Sequence, residues 1–392
     1  MIEGVKVLSF THYLQGPSAV QALADLGADV IKIESPKGAY ERHWSGANSY
    51  VNGVSVFYML AGRNQRAIAL DLKSPEGIAI IHDLLKEYDV VVENFKVGVM
   101  DRLGLGYEAL KKLNPRIIYC SCSGYGSTGP KSKQPGQDLL AQGLSGLAEL
   151  SGPGDRPPSP VGVPVVDQHG AMLATMGVLA AIINRNNTGE GCHIDNSLLN
   201  AAIDLQQEPI CYFMNNGELT ERPATGHCSR FHQSPYGIYK TKDTSITLSL
   251  TPFDKLQAVF SPDALDNFKP ADQMENRLEF DKVVAAEMLK RTTAEWTELF
   301  EQNAIWHAPV NYYPEVLKDE QIVHNQVVLE LNTPETGPVR VLNHPVRYNG
   351  KPPALRRNPP KLGEHTVEVL KEIGYSDEKI GKILDAGVAK SL

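Results

Sequence analysis

The sequence predicts an α/β protein in which a doubly wound, mostly parallel sheet is joined to a second, smaller α+β domain. Two observations carry the sheet. Strand-like and helix-like segments alternate as far as Ser123, and the strand at residues 89–95 is a near-continuous apolar run of the kind buried on both faces. A third observation separates the domains. A chain of 392 residues exceeds what one hydrophobic core organises, at roughly 150 residues per domain, and the patterning changes from Arg222 onward.

Residues 5–10 form a short apolar run, residues 17–26 carry apolar side chains at helical spacing up to Gly27, and residues 29–34 are strand-like again. A strand at 67–72 leads through Ser74-Pro75-Glu76, a helix-start signal with proline in the first turn, into a helix at 77–87. A strand at 89–95, a helix at 107–113 and a strand at 117–123 follow. Parallel neighbours need crossovers, and crossovers are right-handed, so a doubly wound sheet results. Gly, Pro, Ser and Lys dominate to residue 134 and the composition is loop-like again over 152–164, with a helix expected at 137–150 between. Long helices are expected at 168–184 and 197–214. Beyond Arg222, strands at 237–240 and 245–250 alternate with helices at 253–260, 273–289 and 294–301. Strands at 327–331 and 338–342, a proline-rich crossing at 352–360 and helices at 366–373 and 377–384 complete the chain.

Composition excludes several classes. The 46 Asp and Glu outnumber 38 Lys and Arg, for a formal charge of -8, so no electrostatic footprint for nucleic acid or an anionic membrane exists. The longest uncharged apolar stretch, residues 170–183, falls short of the ~20 needed to span a bilayer and reads as a buried helix. The opening residues lack the basic, apolar and small-residue series of a secretory signal. Five cysteines, an odd number scattered through a large chain, fit reduced thiols and a cytoplasmic location.

After the strand at 117–123 stands Gly124-Tyr125-Gly126-Ser127-Thr128-Gly129, which matches G-x-G-x-x-G. A dinucleotide site needs a helix opening at the third glycine. Here Pro130, Lys131, Ser132 and Lys133 follow, so a flexible loop beside a cleft is the better reading. No nucleophile elbow, P-loop or zinc-binding pattern occurs, the histidines lack metal-ligand spacing, and Cys120 and Cys122 fit one buried strand face.

Asp167 is more informative. It follows an apolar lead-in and starts a long apolar helix, so it is either an ordinary N-cap or a carboxylate nucleophile held in an apolar wall. Lys37, Arg42, Lys73, Asn94, Phe95 and Arg102 fall near expected strand C-termini, where open parallel sheets bind ligands. Lysine and arginine gathered there suit phosphates, and an aromatic ring beside them suits a purine.

With these blocks in place, the sequence resembles the class III coenzyme A transferases of the CaiB/BaiF type. The resemblance rests on Val7-Leu8-Ser9-Phe10-Thr11-His12 with Gly16-Pro17, on Leu26-Gly27-Ala28-Asp29-Val30-Ile31-Lys32-Ile33-Glu34, and on Leu70-Asp71-Leu72-Lys73. Val92-Glu93-Asn94-Phe95, Asp101-Arg102-Leu103-Gly104, Asn343-His344-Pro345-Val346 and Pro360-Lys361-Leu362-Gly363-Glu364-His365-Thr366 continue it. It implies a Rossmann-like domain from both chain ends (1–196 and 331–392), a linker helix (197–222), a small domain (223–330) and an interlocked homodimer. It also implies that Asp167 is the nucleophile, that Leu70, Lys73, Asn94, Phe95 and Arg102 contact coenzyme A, and that His12, Tyr13 and Leu14 line the thioester. Lys37 and Tyr125 join the expected coenzyme A site.

The activity implied is transfer of coenzyme A from an acyl-CoA donor to a carboxylic acid acceptor, with coenzyme A as substrate and neither a tightly bound cofactor nor a metal. Two alternatives are carried. One is an α-methylacyl-CoA racemase or intramolecular transferase, whose second acid/base would fall at Gln137, an amide that exchanges no proton near pH 7, so that His169 or Glu149 would have to replace it. The other is a silent acyl-CoA-binding protein with Asp167 as a mere cap. The formyl-CoA:oxalate relatives carry a glycine run after a small-domain strand, and Thr251-Pro252-Phe253-Asp254 stands there instead.

Overall fold

The computed structural model describes residues 1–218, 221–222 and 229–392. The chain forms two compact units, the first from Met1–Ala141, Pro164–Ala202 and Gln321–Leu392, the second from Gln142–Val163 and Ile203–Glu320. The units divide the chain differently from the expected boundaries. The segment Gln142–Val163 goes with the second unit, where Arg222 and Arg230 bond the Ser151 and Glu149 carbonyls, and residues 321–330 go with the first, where the strand Val328–Thr333 packs Leu331 on Met59. The expected boundary at 222/223 meets residues 223–228, which lie outside those described.

The first unit is built on a seven-stranded sheet of β1 (Lys6–Phe10), β2 (Asp29–Glu34), β3 (Gln65–Leu70), β4 (Val90–Glu93), β5 (Ile118–Ser123), β6 (His193–Ser197) and β7 (Ala389–Lys390). Their order is β7-β3-β2-β1-β4-β5-β6. All neighbours are parallel except β7, which runs antiparallel to β3. Alternation along each strand divides the core. Leu8, Phe10, Ile31, Ile33, Ile68 and Val91 face one side, where α2 (Pro75–Leu84), α3 (Tyr107–Leu113), α6 (Thr366–Glu372) and α7 (Asp377–Asp385) cover them. Val7, Val30, Val90, Val92, Ile118, Cys120 and Cys122 face the other, under α1 (Gln15–Asp25) and α5 (Val165–Thr188). The strand termini differ from expectation by a few residues, except β2, which matches.

Helix α5 has the length and composition to cross a membrane, yet Val166, Gly170, Ala171, Ala174 and Val178 are buried, and Ala171, Ala174 and Val178 sit against the sheet. Its outer face leaves Met172, Met176 and Ile183 exposed.

In the second unit, an antiparallel sheet of Tyr236–Lys240, Ser245–Ser249 and His307–Pro309 packs on helices Phe253–Val259, Arg277–Met288 and Thr293–Gln302 around Phe280, Trp296 and Phe300. Two long helices expected from the sequence are broken. Residues 197–214 divide into the end of β6, Leu198–Asp204 and Gln207–Asn216, and residues 273–289 into Asp272–Glu275 and Arg277–Met288.

Candidate active site

Strand β1 pairs with β2 on one side and β4 on the other, so chain order reverses between β1 and β4. Ligands of open α/β sheets bind in the crevice outside the strand ends at such a reversal. The residues that follow these two strands are Thr11 to Leu14 and Asn94 with Phe95, and they are joined directly. The Asn94 side chain accepts from the His12 backbone N–H at 2.8 Å and donates to the His12 carbonyl at 2.7 Å. The Phe95 ring stacks on His12 at 5.2 Å. Gly16 lets the first turn of α1 seat against this clamp, since a Cβ there would lie 2.7 Å from Thr11 and 3.3 Å from Asn94.

Tyr13 takes a left-handed backbone conformation (φ 61°) and leaves its ring half exposed beside Tyr40. Leu14 is the buried N-cap residue of α1. Below His12, the Lys32 ammonium donates to the Thr11 carbonyl at 2.9 Å and to Glu41 at 2.8 Å. Burial alone would raise the Glu41 carboxyl, but His12 and Lys32 beside it hold it at about 2.

Lys37, Lys73 and Arg102 are exposed on separate segments of the same edge. Arg102 ends a short helix, Val99–Arg102, that begins after Gly98. Leu70 is different: its side chain is fully enclosed in the core and presents no surface to a ligand. Arg42, basic and close to the end of β2, is committed to Glu34 and to the Pro360 carbonyl. Tyr125 is partly buried in the loop after β5, whose two arms touch where a Cβ on Gly124 would lie 2.6 Å from the Gly136 backbone. No helix opens at Gly129, as the proline and lysines after it imply.

Asp167 lies in the first turn of α5 and is not its cap, which removes one of its two sequence readings. Pro164 occupies the cap position without a side-chain bond. The capping carboxylate comes from Asp138, at the start of α4 (Asp138–Leu144), which accepts from the Val166 and Asp167 N–H groups at 2.7 and 2.9 Å. Asp167 itself is half-buried and its carboxylate accepts no hydrogen bond from the described residues. Burial, and secondarily the Asp138 charge, push it up to about 7. Because α5 leads into the parallel strand β6, its N-terminus lies at the carboxyl edge of the sheet, and Gly170 packs against Gln15 of α1. The nucleophile candidate therefore sits one helical turn from the start of α1, beside the crevice.

Sequence reasoning missed Glu93. It closes β4, accepts from the Phe95 N–H at 2.9 Å and is pushed by burial to about 7. It lines a cavity of about 190 Å³ with Phe95, Tyr119, Ser121 and His193. An acid inside an otherwise apolar strand was the available signal. Among the described residues, no group of three His, Cys, Asp or Glu side chains is arranged to hold a metal.

The family described as CoA-transferase family III matches residues 2–366. A succinyl-CoA:glutarate CoA-transferase of Mus musculus is 35% identical over 395 residues, covering 99% of this chain and 90% of that protein. A succinate–glutarate CoA-transferase of Agrobacterium fabrum is 32% identical over 384 residues, 95% of each. The fold resembles the crystal structure of a CaiB/BaiF family protein from Brucella suis, with a TM-score of 0.83, 29% identity and coverage of 95% of this chain and 98% of that one. Sequence, fold and the crevice agree, and the chain belongs to CoA-transferase family III.

Proposed function

We propose that the protein transfers coenzyme A between carboxylic acids, with the Asp167 carboxylate as the covalent nucleophile. The observation that carries this reading is the state of Asp167: a half-buried carboxylate that accepts no hydrogen bond from the described residues, beside the crevice where the sheet order reverses. A carboxylate that no protein donor ties up is a better nucleophile than one held by hydrogen bonds. Holding it in line with a thioester carbonyl supplies effective molarities of about 10⁵ M or more.

Attack on the acyl-CoA carbonyl gives a mixed anhydride and a coenzyme A thiolate. The thiolate returns to the aspartyl carbonyl, releases the donor acid and leaves an aspartyl thioester, and the acceptor carboxylate then runs the sequence in reverse. One thioester replaces another, so the exchange needs no external energy source. His12, Tyr13 and Leu14 would line the thioester, with Asn94 holding their backbone. Phe95 and Tyr125 would pack on the coenzyme, and Lys37, Lys73 and Arg102 would meet its phosphates. Succinyl-CoA and glutarate, named for the relatives above, are the first donor and acceptor to assay.

The assembly implied is an interlocked homodimer acting in the cytoplasm. The uncovered Met172, Met176 and Ile183 on α5 support a partner surface of apolar character. Sedimentation across a dilution series should show a dimer that does not dissociate, and a native monomer would overturn the interlock.

The deciding experiment is acyl-CoA exchange followed by mass spectrometry against a panel of carboxylates, with wild type and Asp167→Ala. New acyl-CoA should form only with wild type, accompanied by a covalent adduct on Asp167. With a chiral 2-methylacyl-CoA in deuterated water and no acceptor, the α-hydrogen should persist. Rapid deuterium uptake without exchange would establish racemisation instead, and turnover by Asp167→Ala would remove Asp167 as nucleophile.

A further inference from the structure

We propose that the side-chain amide of Gln15 donates the hydrogen bond that holds the acyl oxygen during transfer at Asp167, which makes Gln15 a catalytic residue. The proposal rests on Asp167 being the nucleophile.

Gln15 is the first residue of α1, only 4% exposed, and its amide nitrogen is buried without a hydrogen-bond partner. Buried donors are almost always paired, so an orphan of this kind asks for an absent acceptor. Its place is fixed by Gly170, where a Cβ would lie 2.6 Å from the Gln15 amide nitrogen. Gly170 stands three residues after Asp167 on the same face of α5, and the surface over a helical residue lies toward the preceding turn. The amide is therefore seated within one helical turn of Asp167, on its side of α5. The start of α1 has neither a side-chain cap nor an acidic residue in its first turn, so the helix end adds positive potential at the same point.

The two groups complement each other without being bonded. A donor lacks an acceptor, and a carboxylate one helical turn along α5 from its Gly170 seat accepts no hydrogen bond from the described residues. An amide that bonded the resting carboxylate would weaken the nucleophile, whereas one kept for the transition state lowers the barrier. When an Asp167 oxygen bonds to the thioester carbon, the carbonyl π pair moves onto oxygen, which accepts the Gln15 N–H. The carbonyl then reforms, the C–S bond breaks and its pair leaves on the coenzyme A sulfur. No proton is gained or lost, as suits a neutral amide.

The test is the kinetics of Gln15→Leu, which keeps approximate volume and removes the donor. The expected result is a kcat lower by about 10²–10³-fold, the usual effect of one oxyanion donor, with KM for acyl-CoA little changed. The acidic limb of the pH profile should keep its midpoint, because the resting carboxylate loses no bond; a general disturbance of the α1–α5 contact would move it. Gly170→Ala is the second variant. It leaves Gln15 in place but displaces its amide, and it should lose rate in the same sense even if Gln15→Leu fails to fold. Unchanged kcat in either folded variant would overturn the proposal. Activity retained by Asp167→Ala would instead remove the reading on which it rests.

Discussion

Glu41, close to the end of β2, and Asp167, at the start of α5, are both carboxylic acids withdrawn from water at the same edge of the sheet, yet one is held at about 2 and the other at about 7. Burial opposes ionisation in both. Around Glu41 the Lys32 ammonium, 4% exposed, and the His12 ring outweigh it. Around Asp167 no cation or donor among the described residues offsets it, and the charge that acts on it is the like charge of Asp138. Partners, rather than depth, decide whether a buried acid serves as structure or as reagent. The first region is arranged to stay as it is, and the second keeps the unmatched carboxylate that the proposed transfer would use.

The comparison is broken most severely at Asp167. Asp167→Ala should lower transfer by at least ~10⁴-fold, the scale on which nucleophile removal acts, while leaving the fold intact. It should also be more stable than wild type at high pH. A carboxyl raised to about 7 in the native state, against an ordinary value of 3.8, favours folding fully only below the ordinary value, and that contribution is lost as pH rises through 7. Melting temperatures of the two proteins at pH 5 and pH 8 check this: the gap should widen toward pH 8.

Glu41→Gln is the next largest change. It leaves Lys32 buried with half its partner, and breaking one side of a buried pair costs about 3–5 kcal/mol, measurable as a lower denaturant midpoint. In wild type the same group loses its contribution as pH falls from its ordinary 4.5 toward 2, so the variant's deficit should shrink in acid.

Asp138→Asn sharpens the contrast rather than abolishing it. Asparagine keeps an oxygen for the Val166 and Asp167 N–H groups and removes the like charge. The proposed attack needs ionised Asp167, so the rate should fall as pH drops below about 7, and in the variant this limb should move to lower pH. An unmoved limb would mean that burial alone sets Asp167. The smallest effects are expected at Lys73 and Arg102. Both are exposed, and exposed charge contacts are worth ~0.2–1 kcal/mol, so either alanine variant should weaken coenzyme A binding a few-fold, more at low salt than at high.

Much of the large unit is legible because its order is local. The Ser74-Pro75 signal starts α2 with the Ser74 side chain as its cap, and the apolar runs of β1, β2 and β4 announce strands buried on both faces. Strand β6, His193–Ser197, escapes because an edge strand with a polar outer face carries no such run. At the crevice, the positions after β1 and β4 could be read from strand ends, and Asn94 and His12 do meet. The pairing of Asp138 with α5, and that of Gln15 with Gly170, could not. Each brings together residues 28 or more positions apart through packing that periodicity does not encode. Asp167 was legible as a helix-start acid but not as one that leaves the capping to another residue, because the capping carboxylate, Asp138, belongs to another helix.

Strand β7 has a consequence for how the protein is made. Ala389 and Lys390 pair with Leu70 and Ala69, so the outer edge of β3 is completed only after some 320 further residues of synthesis. At about 5–20 residues per second, a nascent chain holds that edge open for roughly 15–65 s, together with the apolar seats for Val369, Leu370 and Ile380. An unpaired strand edge templates association with other chains. The ribosome-bound half-sheet is therefore the stage at which this protein most needs shielding, and a chain stopped short of β7 should be captured by holdase chaperones while the finished one is released.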